Sequence, residues 1–455
     1  MIQLILLGIP LAFVIYTVYK GLNASIAMLI GALIVCLVER MDIMTTILGS
    51  PFKASVMIGG MQMSLQLFFL TFIMANIFAQ IYLATGGARS IANTLTKMVV
   101  KDATGYKAKM RALYTFMVIA IIFGFGGLDA FVCVFTLLPI GMVMFEKYNI
   151  PRRLLPATLF AGVTTAVCCP GTPLTNGNIL AAGFLGTQTT AAAVPGLVGV
   201  AVILLCDVLY LRSAVKKAEA KGEGWTPVPN QAPSAAGIND DTKPVPKAWQ
   251  SFIPIIVVAI MNMILHINIV ISLLTAALVA CATMCNYIVT PQSKLKPYMA
   301  LGEKGVVAAG MTFVPMAIQM GLATVIQNSG GFEFLSGLFT QMAYHTNPLI
   351  AWATSASLTG FLAGNSTAGI QLSASIFQPI ASEIGLSLSA AHRIGCFAIS
   401  ILDTIPINAA IISALFTTGL TQKEGYPPIF RTTVLYIFFG MIAVILMCML
   451  FPGLQ

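Results

Sequence analysis

Apolar runs recur along almost the whole chain, at 2–20, 22–38, 59–84, 154–186, 190–212, 251–267, 269–290, 305–327, 393–419 and 430–451. Each approaches or exceeds the roughly 20 residues that an α-helix needs to cross the hydrocarbon core of a bilayer. The pattern predicts an all-α polytopic membrane protein with about ten transmembrane helices. Two of the runs, 154–186 and 393–419, carry Pro, Gly and Asn near their middles and are expected to be discontinuous helices at the midplane. Two further apolar pieces, 110–146 and 349–382, are interrupted by glycine-rich polar residues and read as re-entrant hairpins. Residues 214–249, rich in Lys, Pro, Gly, Ala and Asp and without apolar periodicity, read as a solvated cytoplasmic linker.

The first hairpin turns on Gly124-Phe125-Gly126-Gly127-Leu128-Asp129. Glycine at this density interrupts a helix, and a carboxylate in hydrocarbon costs roughly 2.5–3.5 kcal/mol on insertion scales. Non-helical backbone at membrane depth survives only where it is buried in protein or lines a watery cavity, so the cluster marks a pocket. A glycine kink in an ordinary helix is the simpler alternative. A second copy argues against it. Thr85-Gly86-Gly87 is followed by Met98 as Ser329-Gly330-Gly331 is followed by Met342, eleven residues on in both cases. Gly124-Phe125 precedes Pro170 by 46 residues, and Gly360-Phe361 precedes Pro406 by the same 46, with Asp129 falling opposite Asn365. The chain therefore reads as two repeats, 1–213 and 250–455.

Five spans plus a hairpin that enters and leaves on one side make an odd number of crossings, so the repeats are expected to have inverted topology. The charge pattern agrees. Lys97, Lys101, Lys107, Lys109 and Arg111 precede the first hairpin and Lys147, Arg152 and Arg153 follow it, which places both its ends in the cytoplasm. Ser329 to Pro348, leading into the second hairpin, contains no Lys or Arg. Only Arg40, Lys53 and Arg393 of the 24 basic residues are then external, as are both termini.

Composition sharpens the class. The chain is 58% hydrophobic and 9% charged, with a mean hydropathy of +0.91, far from the ~25% charged share of soluble domains. The net charge of +9 follows from basic cytoplasmic loops, not from a nucleic-acid partner. The nine cysteines lie mostly in apolar runs without metal-ligand spacing, Cys168-Cys169 being the pair of interest. The first run lacks a basic n-region and reads as a retained span, not a signal peptide.

Four breaks converging near the midplane would form a small polar cavity, because broken helix ends offer free N–H groups to an anion and free C=O groups to a cation. The expected substrate-binding set is Gly127 and Asp129; Thr172, Thr175 and Asn176; Asn365, Ser366 and Thr367; and Asn408 and Arg393. Any of the hydroxyls could instead bond its own backbone, and Arg393 could simply anchor a helix end. Asp129 and Asp403 are the ion-coupling candidates, since a carboxylate deep in an apolar helix needs a proton or a partner; a capping role is the alternative for Asp129. Asp207 reads as half of a local charge pair near Arg212. His266 and His345 read as loop residues, and His392 is unassigned.

His392-Arg393, Asp403-Thr404-Ile405-Pro406-Ile407-Asn408-Ala409-Ala410-Ile411-Ile412 and Gly419-Leu420-Thr421-Gln422-Lys423-Glu424-Gly425-Tyr426 resemble the C-terminal signature of the gluconate permease (GntP) family of the ion transporter superfamily. Gly126 to Phe131 and Pro170-Gly171-Thr172-Pro173 fit a divergent member. The resemblance implies proton-coupled uptake of small organic anions, such as sugar acids or short hydroxy acids, by a homodimer in the bacterial inner membrane with elevator-like movement. Ile407 departs from the family's histidine after proline, and Cys168-Cys169 from a more polar stretch, which points to an acid less hydroxylated than gluconate. Sodium coupling and cation/proton antiport are the alternatives. An intramembrane aspartyl protease would need two carboxylates sharing a proton, and no second motif supports one, so no enzyme activity is expected. Without a P-loop the chain has no ATP site of its own, and no cofactor beyond the coupling ion is expected.

Overall fold

A computed structural model describes residues 2–50, 53–101, 103–125, 130–171, 176–227, 244–261, 265, 267–288, 296–363 and 366–455. The first part runs α1 (Ile2–Tyr19), α2 (Ala24–Val38), α3 (Val56–Ala84), α4 (Gly87–Leu95), α5 (Gly105–Phe125), α6 (Ala130–Lys147), α7 (Leu154–Cys168), α8 (Asn176–Leu185) and α9 (Ala193–Ala220). The second runs α10 (Ala248–Ala259), α11 (Ile269–Thr283), α12 (Lys296–Gln327), α13 (Gly330–His345), α14 (Pro348–Ala363), α15 (Ser366–Phe377), the single turn α16 (Ala381–Ile384), α17 (Leu388–Asp403), α18 (Ala409–Thr418), α19 (Gln422–Ile429) and α20 (Tyr436–Leu450). The described residues contain no strand beyond an isolated bridge between Ser50 and Lys53.

The architecture is that of an all-α polytopic membrane protein. Ile26, Leu29, Leu33 and Leu37 on α2, Ile271, Leu274 and Leu278 on α11, and Val307, Met311 and Val314 on α12 are exposed at helical spacing. Apolar stripes of this extent are untenable in water and suited to lipid. Among the described residues four helices are individually long and apolar enough to span a bilayer: Gly105–Phe125, Ala193–Ala220, Lys296–Gln327 and Gln422–Leu450. Val56–Gln66 and Phe68–Tyr82 would make a fifth as one bent unit, with 47° between them. Shorter apolar helices, among them Ala24–Val38, Leu154–Cys168, Ile269–Thr283 and Ala409–Thr418, have 10–17 residues, about 15–25 Å at 1.5 Å per residue. The span expected at 22–38 is the helix Ala24–Val38, and the span expected at 251–267 begins as Ala248–Ala259, with residues 262–264 and 266 outside the described residues. The helix α9 continues to Ala220, so the first turns of the expected linker are helical; residues 228–243 lie outside the described residues.

Helix pairing follows one pattern in both parts of the chain. The long helices α3 and α12 lie against each other, as do α9 and α20. The helix α5 packs on α7 as α14 packs on α17, α1 on α2 as α10 on α11, and α4 on α10 as α13 on α1. The second arm of each hairpin crosses to the other part, α6 to α18 and α15 to α8. Small residues allow the closest approach. A Cβ on Gly60 of α3 would lie 2.6 Å from the Met320 carbonyl oxygen of α12, a contact that only glycine tolerates.

The broken helices occupy the centre. Every residue of α7 except Val167 is buried, and α17 is buried from Ala390 through Ile401. A helix apolar on all sides belongs inside a large protein. Aromatic wedges hold the surrounding layers: Phe116 meets Phe145 edge-on at 5.9 Å, and Trp352 meets Phe377 at 5.6 Å while donating its indole N–H to the Ala391 carbonyl at 2.7 Å.

Candidate functional site

The helix α7 ends at Cys168, and α17 ends at Asp403 with α18 beginning at Ala409, as expected for the two discontinuous helices. Residues 172–175, between α7 and α8, and the expected hairpin tips at 126–129, between α5 and α6, and at 364–365, between α14 and α15, lie outside the described residues. The first arm of each hairpin touches the helix beside it through a glycine. A Cβ on Gly124 would sit 2.9 Å from Ala166 Cβ and 3.2 Å from Val163 Cα of α7. A Cβ on Gly360 would sit 3.9 Å from Ile399 Cα of α17. Val163 follows Gly124 by the same number of residues as Ile399 follows Gly360, so one contact recurs at the same register in the two parts.

Of the expected site residues, Gly127, Asp129, Thr172, Thr175 and Asn365 lie outside the described residues. Asn176 and Ser366 open α8 and α15, with Thr367 next in line, and Asp403 closes α17. Asn408 is a helix cap. Its Oδ1 accepts from the Ala410 and Ile411 N–H groups at 2.8 and 3.2 Å, which satisfies orphan donors at the start of α18. Gln319 of α12 accepts from the Ala409 N–H at 2.9 Å, and Gln422 donates to the Pro406 carbonyl at 2.8 Å. The unwound backbone of 404–408 is therefore held by side chains from α12 and α19; sequence reading assigned Gln319 no role and Gln422 only a place in the C-terminal signature.

Around the other broken helix the organising group is Arg393. It is completely buried, and its N–H groups all reach protein oxygens. Nε and Nη2 bond the Ala191 carbonyl at 3.1 and 3.0 Å, Nη2 bonds the Thr189 carbonyl at 2.8 Å, and Nη1 bonds Asn178 Oδ1 at 2.9 Å and the Cys168 carbonyl at 3.5 Å. The guanidinium caps the C-terminal end of α7, where a cation complements the helix dipole, and ties α17 to the 186–192 connection. In this conformation its donors are all taken by protein oxygens, an arrangement that suits the helix-anchor reading. Among the described residues no carboxylate lies within ion-pair reach of it, and its hydrogen bonds all run to carbonyl and amide oxygens.

Asn178, which sequence reasoning passed over, joins these pieces. Its amide donates to the carbonyls of Val167 and Cys169, both at 3.3 Å, across the break between α7 and α8. Its Oδ1 accepts from Arg393 and lies 3.2 Å from His392 Nε2. The other ring nitrogen of His392 is 2.6 Å from Thr187 Oγ1. An Oδ1 acceptor fixes the Nε2–H tautomer, leaving Nδ1 to accept from the Thr187 hydroxyl. His345, by contrast, is the exposed last residue of α13.

Two further hydroxyls stand out. Thr158 and Thr164 of α7 bond the carbonyl four residues back, at 2.7 Å each. Thr165 and Ser413 are buried on α7 and α18, and neither hydroxyl has a partner among the described residues. A buried hydroxyl without a partner costs roughly 1–3 kcal/mol, and both sit on helices that border the breaks. No group of three or more His, Cys, Asp or Glu suited to a metal ion occurs among the described residues.

No established family profile matches the sequence. The chain is 28% identical to the Bacillus subtilis protein called uncharacterized transporter YxjC, over an alignment that covers 95% of this chain and 96% of that one. The crystal structure of the Alcanivorax borkumensis YdaH transporter is matched with a TM-score of 0.42 at 11% identity, covering 94% of this chain and 98% of that one, a likeness too loose to carry over a fold. The apolar helices and the end-to-end similarity to a bacterial transporter make this chain a bacterial multi-pass membrane protein.

Proposed function

We propose that the protein is a secondary active transporter of the bacterial inner membrane that carries a small organic anion, a sugar acid or a short hydroxy or carboxylic acid, by proton-coupled symport. The observation that carries this reading is the break between α17 and α18 and the end of α7 at Cys168, beside a buried guanidinium that has no carboxylate partner among the described residues. Helix ends and a buried cation favour an anion nearby, and the reading is supported by the likeness to a bacterial transporter. In this reading 1–213 and 250–455 are inverted repeats, which the recurring helix pairings support.

The anion lies among Gly127, Asp129, Thr172, Thr175, Asn176, Asn365, Ser366, Thr367 and Asn408, with Thr165 and Ser413 as added hydroxyl donors. Asp129 and Asp403 carry the coupling charge. Arg393 contributes its field and holds the pocket wall, and contacts the acid only if one of its carbonyl partners is released. The protein is a homodimer, a divergent member of the gluconate permease family, and the hairpins and broken helices move as one body against α3 and α12.

The test is counterflow in proteoliposomes loaded with unlabelled gluconate, lactate or citrate and given the same acid labelled outside, with no imposed gradient. Accumulation of one label, stimulated by an inward proton gradient in net uptake, is the expected result. Failure of every acid in such a panel, with cation-dependent proton release from the vesicles, would replace this reading by cation/proton antiport.

A further inference from the structure

The carboxyl group of Asp207 takes part in none of the chemistry above. It lies in the middle of α9, its exposure is 0%, and among the described residues neither of its oxygens has a hydrogen-bond partner. Pairing with Arg212, the reading the sequence suggests, does not occur: Arg212 is exposed and donates to the Tyr114 hydroxyl at 3.0 Å. An ionised carboxylate in such a place carries a desolvation cost of several kcal/mol that nothing repays, so the form that fits is the neutral acid.

The charged and titratable groups around it are few. On α9 itself they are Cys206, Tyr210 and Arg212. The facing helix α20 brings Tyr436, whose ring meets Tyr210 edge-on at 6.0 Å. The π-wound turn 430–435 brings Arg431, which sits 5.3 Å over the Tyr210 ring and donates to its hydroxyl at 3.3 Å. The helix α5 brings Tyr114, α7 offers nothing titratable before its terminal Cys168, and α17 meets α9 farther along, through Arg393 and Phe397 against Gly196 and Gly199. Both nearby arginines are thus parked on tyrosines. Arg431 also lines a cleft of about 370 Å³ with Arg152, Arg153, Glu223, Lys423 and Glu424. That cleft opens on the Lys/Arg-rich face, and Tyr210, which Arg431 touches, is one helical turn from Asp207.

We propose that Asp207 is a proton-binding site separate from the four breaks, loaded from the basic cleft along Arg431 and Tyr210. The proton comes from water in the cleft, adds to one carboxylate oxygen to give the neutral acid, and leaves by the same route. Displacement of Arg431 from Tyr210 supplies both the opening and the counter-charge for the ionised form. The site is defined without reference to the transported solute.

Infrared difference spectroscopy on the full-length protein in lipid, with aspartate carboxyl groups labelled with carbon-13, tests this. The wild type at neutral pH is expected to show a protonated-carboxyl stretch that Asp207→Asn lacks and that shifts after transfer to deuterated buffer. Arg431→Leu is expected to change the rate of that shift several-fold. A carboxylate doublet at this position, no difference between wild type and Asp207→Asn, or a protonated band that never exchanges would each overturn the proposal. Should Asp207→Asn fail to fold, the pH dependence of the labelled band in the wild type and in Arg431→Leu decides it, since Arg431 is exposed and its loss leaves the fold intact. No transport is needed for the readout, so a silent counterflow assay leaves this test standing.

Discussion

Replacing Arg393 by methionine removes its five hydrogen bonds to the 168–192 region while keeping much of the stem's packing volume. Four buried or part-buried acceptors lose a partner: the carbonyls of Cys168, Thr189 and Ala191, and Asn178 Oδ1; the Thr189 carbonyl still accepts from the Gly171 N–H at 3.2 Å. Hydrogen bonds to a charged group are worth about 1.5–3 kcal/mol each in net terms. Against that loss stands relief from burying the guanidinium, itself several kcal/mol, and Asn178 keeps its contact with His392. The balance is a destabilisation of about 2–4 kcal/mol. Arg393→Lys retains the charge, but its ammonium has three donors and cannot fork across the Ala191 carbonyl, so about half the loss is expected.

The assay is the melting temperature of purified protein in lipid nanodiscs without added acid, all variants at one scan rate because unfolding of such proteins is irreversible. The expected order is wild type, then Arg393→Lys, then Arg393→Met, with the last lower by about 3–8 °C. Were Arg393 an open clamp for the substrate, the acid-free proteins would melt together, and only the stabilisation by added acid would differ. An Arg393→Met protein that melts with the wild type refutes the structural account.

Three further outcomes follow from the same geometry. Gly369→Ala places a Cβ 2.7 Å from Gly360 Cα and 2.9 Å from Gly360 N; backbone cannot yield as a side chain does, so a loss of about 1–3 kcal/mol is expected, read as a lowered melting temperature. Asn408→Ala removes the cap of α18, and about 0.5–2 kcal/mol is expected, toward the upper end because the freed N–H groups are partly buried. On the basic face, Arg153 holds the Glu223 carboxyl below its ordinary value by a paired hydrogen bond at 2.5 and 2.8 Å. A carboxyl lowered in the folded state stabilises above its unfolded pKa of about 4.5 and loses that contribution as pH falls through the lower folded value. Glu223→Gln is therefore expected to cost up to about 1 kcal/mol at pH 7 and nothing at pH 3, since the pair is partly exposed; an equal cost at both would refute the pairing.

What the chain alone determined is where its helices stop. The glycine cluster at 124–127, Pro170 and Pro406 act on their own backbone, through lost helix propensity and a missing donor, so the ends at Phe125, Cys168 and Asp403 were legible without knowing any neighbour. The apolar runs likewise set the membrane class, because lipid is a uniform solvent and hydropathy reads it directly. Which side chains then satisfy the opened backbone was decided by the tertiary structure. Asn178, Gln319 and Gln422 lie in or beside helices like many other amides, and only folding brings Asn178 to Arg393 and Gln319 to Ala409 across long stretches of chain. The same holds for Asp207 and Arg393: the sequence shows a charge in an apolar run, but packing alone leaves the carboxyl without a partner and hands the guanidinium to carbonyls, because burial and hydrogen bonding are properties of neighbours in space.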